Sequence, residues 1–169
     1  MQQAVPVHLR WEALALVALG GAIGTGAREA LALTWPAPPD GVPWTIAAIN
    51  VGGAFVLGVL LEALARRGPD EGRRRALRLF AGTGVLGGFT TYSALAVDTA
   101  LLGGDHLTLA VAYALGSVAA GAAAAAAGIV VAARVLPGRS VAAGAGDADR
   151  RGGDEPGGAA ADGRGGDER

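Results

Sequence analysis

GTGVLGGFTTYS, residues 82–93, decides how this chain folds. It lies inside an apolar run where a membrane helix belongs, yet Gly82, Gly84, Gly87 and Gly88 are weak helix formers. Thr90, Thr91, Tyr92 and Ser93 then add hydroxyls and a ring. Lipid penalises both polar side chains and unpaired backbone groups. Non-helical backbone at membrane depth survives only where protein or water covers it. The stretch therefore predicts a helix break buried at a subunit contact, with freed carbonyls suited to a hard cation.

The rest of the chain supplies the frame. Of 169 residues, 51% are hydrophobic and 17% charged, and the apolar residues gather into long blocks instead of short amphipathic pieces. A bilayer core needs roughly 20 apolar residues per helix. Such runs occur at about 11–33, 42–61, 79–102 and 107–133, which predicts an all-α integral membrane protein of four spans with the third broken. Glu12 and the length of the first run mark it as a retained helix, not a signal peptide. Residues 1–136 form the membrane domain in this reading. Residues 137–169 are a Gly, Ala, Asp and Arg tail too poor in large apolar side chains to fold.

The absence of cysteine excludes disulfides, thiolate metal sites and cysteine nucleophiles. His8 and His106 lie at span edges with no carboxylate cluster, so no catalytic constellation is present and the chain is not read as an enzyme. Every basic residue is an arginine. Arg66, Arg67, Arg73, Arg74, Arg75 and Arg78 crowd the second connection, whereas TWPAPPDGVP and GGDH hold none. In a membrane protein this bias is a topology signal, not a nucleic-acid patch, and it puts the second loop and both termini in the cytoplasm. Trp11, Trp35 and Trp44 fall at span ends, at the level of the lipid headgroups.

Inside the spans, Asn50 demands more partners than its own helix provides, and it stands beside Gly52 and Gly53, where a neighbouring backbone can approach. Tyr113 and Ser117 are the polar residues of the fourth span, and Asp98 is a carboxylate in the third.

Taken in order, GGAIGTGARE (20–29), INVGGAFVLG (49–58), GVLGGFTTYS (84–93) and the spaced Tyr113, Ser117 and Gly121 resemble the motifs of the CrcB/Fluc fluoride channels. The resemblance covers all four spans. It implies an antiparallel dimer of dual-topology type with two narrow fluoride paths and a central Na+ held by main-chain carbonyls. By position, it implies that Asn50 is the pore amide and that Tyr92, flanked by Thr91 and Ser93, takes the place of a pore phenylalanine. Tyr113 and Ser117 line the path from the fourth span, Arg28 sits in a vestibule, and Gly87 and Thr90 offer the Na+-binding carbonyls. Departures are Leu95 where a second pore phenylalanine is expected, Ile46 where a threonine is, and Asp98 where glutamate is frequent.

The function implied is passive fluoride efflux across the bacterial cell membrane. Fluoride is small and tightly hydrated, so a selective path must replace its water with directed weak donors. Related homodimers insert both ways round; the arginine bias here predicts one orientation and an oppositely oriented homologous partner. The alternative reading, a small four-helix drug/proton antiporter, needs a carboxylate deep in the first span, but Glu12 and Glu29 lie near its ends. A purely structural membrane subunit would leave Asn50 and TTYS without a purpose.

Overall fold

The computed structural model describes residues 10–38, 41–104 and 106–137. The expected tail and His8 lie outside them. Helix α1 runs Trp11–Thr34, α2 Trp44–Ala65 and α3 Gly72–Leu77. A π-helical stretch, Arg78–Leu86, follows α3 and leads into the single turn α4, Gly87–Phe89. After two extended residues come α5, Tyr92–Gly103, and α6, Leu107–Val135. Taking α3 through α5 as one bent element, four helices are long and apolar enough to cross a membrane. This is a multi-pass membrane fold.

Two spans reach further than the apolar runs suggest. The second continues beyond Leu61 to Ala65, because Glu62 and Arg66, one turn apart, form an ion pair at 2.7 Å. The third begins at Gly72 because its arginines are good helix formers with acceptors in the preceding loop. Arg78 donates twice to Asp70, at 3.0 and 2.6 Å, and Arg75 donates to the Asp70 carbonyl at 2.9 Å. Arg74 donates to the carbonyl of Arg67. The Asp70 carboxyl is held below the usual carboxylate range, first by the hydrogen bond from Arg78. Gly68 reverses the chain after α2 with φ of 116°, a conformation side chains rarely adopt.

The four spans pair as α2 along α6 and α1 along the π-helical stretch and α4, with α5 laid on α6. Small residues set both long contacts. A Cβ on Gly24 would collide with the carbonyl of Val85, and one on Gly128 with that of Phe55. Without a hydrophobic drive between helices in lipid, close backbone approach and the dispersion contacts it brings hold such pairs together. Much of the large apolar surface stays uncovered in one chain, from Trp11 through Leu101 and Leu115 to Val135.

Candidate functional site

The predicted break falls at Thr90 and Thr91, whose φ, ψ pairs are −76°, 152° and −148°, 124°. Local bonding explains why the helix stops and restarts there. Thr90 closes α4 with both its N–H and its hydroxyl on the carbonyl of Leu86, at 3.0 and 2.9 Å. Thr91 caps α5, its Oγ accepting from the Ala94 N–H at 3.2 Å.

Asn50, in the second turn of α2, then clasps the extended residue from the side. Its Nδ2 donates to the Thr91 carbonyl at 3.0 Å, and its Oδ1 accepts from the Thr91 N–H at 2.7 Å. The amide that one helix cannot satisfy is satisfied by a break in another, and the break keeps its backbone bonds at membrane depth through that amide. Gly53, one turn on from Asn50, lets Thr90 and Phe89 pack against α2; a Cβ there would strike the Thr90 methyl group.

This arrangement has two chemical consequences. An unbroken helix would carry the Thr91 N–H to the Gly87 carbonyl and the Ala94 N–H to the Thr90 carbonyl; here those donors go to Asn50 and to Thr91 Oγ. Gly87 and Thr90 thus lose their helical donors, which leaves oxygen ligands of the kind a hard cation takes. The intervening Gly88 carbonyl instead accepts from the Thr25 hydroxyl of α1 at 3.3 Å. On the donor side, Asn50 retains its second Nδ2–H. Thr91 Oγ and Ser93 Oγ lie 3.1 Å apart, so one hydroxyl proton is shared between them and the other is free.

The other expected residues are spread more widely. Tyr92 opens α5 on the outside of the chain, 80% exposed. Leu95 and Ile46 are buried within it. Tyr113 is buried too, its hydroxyl 3.5 Å from Asp98, which gives that carboxylate a partner on α6. Ser117, one turn beyond Tyr113, lines with it an open, mostly apolar groove of 620 Å³ between α2 and α6. Arg28 is half-buried, with Nη1 3.6 Å from the exposed Glu29 and Nε without a hydrogen-bond partner. It shares a 300 Å³ cleft with Thr45, Ile46, Ala94 and Asp98.

Asn50, Thr91 and Ser93 are therefore brought together, and Arg28 shares a cleft with Asp98; Tyr92, Leu95 and Ser117 do not join either group within one chain. Sequence reasoning missed Thr25, whose signal is a lone hydroxyl within the glycine-rich face of α1. It also missed that Thr45, next to Ile46, donates to the Trp35 carbonyl at 2.6 Å and ties the end of α1 to the start of α2.

A family model described as CrcB-like protein, Camphor Resistance (CrcB), matches residues 15–129, which span the clasp and all four membrane helices. The chain belongs to the CrcB family. Among its CrcB relatives, fluoride-specific ion channel FluC 2 of Leifsonia xyli subsp. xyli is 54% identical over 140 residues, covering 82% of this chain and 95% of that protein. Fluoride-specific ion channel FluC 1 of Cutibacterium acnes is 52% identical over 126 residues, 73% of this chain and 87% of its own. FluC of Novosphingobium aromaticivorans is 45% identical over 123 residues, 70% and 94% of the two chains. The CrcB motifs that fall on the clasp are the N of INVGGAFVLG and the second T of GGFTTYS.

Proposed function

We propose that this chain is a subunit of a fluoride-specific channel that lets fluoride leave the cytoplasm passively. Membership of the CrcB family and the names of its relatives support the ion; the Asn50–Thr91 clasp supports the route. It leaves an amide N–H of Asn50 and one hydroxyl of the Thr91–Ser93 pair uncommitted at the helix break. Neutral weak donors of this kind replace water around a small anion without trapping it as a full positive charge would. Tyr92 contributes its hydroxyl and ring edge from the outer surface of the chain, which requires a second subunit to enclose it. Tyr113 and Ser117 extend the path along α6, Leu95 is buried one turn after Tyr92 without a ring edge to offer, and Arg28 draws the anion into the vestibule.

The Gly87 and Thr90 carbonyls, stripped of their helical donors, fit a structural Na+ shared with a second subunit of opposite orientation. Those carbonyls would hold the cation, which would supply a charged partner for their oxygens in place of the lost N–H donors. The arginine-rich second loop favours one orientation, termini cytoplasmic, and hence pairing with an oppositely oriented homologue. Fluoride efflux from liposomes tests the whole reading: flux is expected when a homologue of opposite topology is reconstituted with this chain, and weak or no flux from this chain alone. Impermeability with every homologous companion supplied refutes the channel.

A further inference from the structure

A groove of 210 Å³ opens where the start of α1 meets α3, at the arginine-rich end of the bundle. Arg10 comes to it from just before α1 and Arg75 from α3, while Glu12 is the single carboxylate among its lining residues. Asp70 lies 3.9 Å from Arg75 but is shared with Arg78, so three guanidinium groups against two carboxylates leave this end of the bundle cationic. Leu16 and Leu79 line the same groove, each at least one helical turn further into the bundle than its arginine.

The arginines at this end of the bundle differ in what they hold. Arg66 is paired with Glu62, Arg78 with Asp70, and Arg74 with the Arg67 carbonyl. Arg75 commits its Nε to Asp70, donating to the carbonyl at 2.9 Å and lying 3.9 Å from the carboxylate, which fixes the stem and leaves its terminal nitrogens without a hydrogen bond among the described residues. Arg10 is exposed and has no ion pair among them.

We infer that this groove seats an anionic phospholipid, its phosphate between Arg10 and Arg75 and its acyl chain against Leu16 and Leu79. The guanidinium fork matches phosphate oxygens in geometry and charge. Cationic pockets between membrane helices near the headgroup layer suit such headgroups. The apolar floor below the arginines favours a lipid over free phosphate, which has nothing to place there.

Native mass spectrometry of the full chain released from micelles of mixed phosphatidylglycerol and phosphatidylcholine tests this. Phosphatidylglycerol is expected to stay bound while phosphatidylcholine does not. Arg10→Gln, at an exposed position before the helix, is expected to weaken retention about fivefold, and R10Q/R75Q about 30-fold. R67Q/R73Q removes the same charge from the same end and is expected to leave retention unchanged. Equal loss in the two double variants, equal retention of phosphatidylcholine, or displacement by inorganic phosphate as readily as by added phosphatidylglycerol would overturn the site.

Discussion

Asn50 spends one donor and its acceptor on a single residue of another helix, and no other side chain in the described structure bridges two spans by two such bonds. Removing it leaves the N–H of Thr91 unpaired away from water, at roughly 1–3 kcal/mol, while its carbonyl keeps only the first helical bond of α5. Asn50→Ala is expected to lower fluoride flux at least about tenfold at unchanged membrane abundance, read by efflux from vesicles and by immunoblot. Normal flux with normal abundance would remove Asn50 from the path. The need for partners was legible in the sequence, since an amide in mid-span has more bonding capacity than its helix can use. Which partners it found was not, because Thr91 is 41 positions away and only packing of α2 on the third span joins them. Leu95 teaches the converse: its chemistry was plain from the sequence, but its burial beneath the start of α5 was decided by the fold.

At the scale of elements, the third span is built to be imperfect. Gly84 and Gly88 bring its wide-turned and broken portions against α1, where Cβ atoms would press on the backbone of Gly20 and Gly21. On α1, Gly24 faces the Val85 carbonyl, whereas a Cβ on Gly26 meets nothing within 4 Å. Gly24→Ala should therefore force α1 off the third span at about 1–3 kcal/mol, while Gly26→Ala leaves the fold intact. Thermal aggregation of the purified variants in detergent checks this, and equal stability of the two would contradict the packing described. The glycine-rich face was visible in GGAIGTGARE and GVLGGFTTYS; the π-helical turns were not. They lie between Arg78 and Leu86, where the backbone of α1 comes closest at Phe80, Gly84 and Val85, a tertiary contact that local propensity does not encode.

Across the whole molecule, charge is as uneven as packing. Six arginines lie on the loop and helix start between the second and third spans, and the described part of the opposite connections has none. One inserted orientation is the proposal which that bias supports. The chain has no native cysteine. Glu71→Cys, exposed on the loop, should therefore react with a membrane-impermeant maleimide from the cytoplasmic side only in inverted vesicles and not in intact spheroplasts. Comparable labelling from both sides would show dual insertion and remove the case for an oppositely oriented partner.

The sequence by itself determined the four spans and the location of the break, because hydropathy and glycine content act locally along the chain. Only the tertiary structure decided that Asn50 holds Thr91, that Asp98 meets Tyr113, and that Tyr92 faces outward while Leu95 turns in. Those outcomes depend on how helices approach one another, and in lipid that approach is set by backbone fit and polar pairing between distant segments.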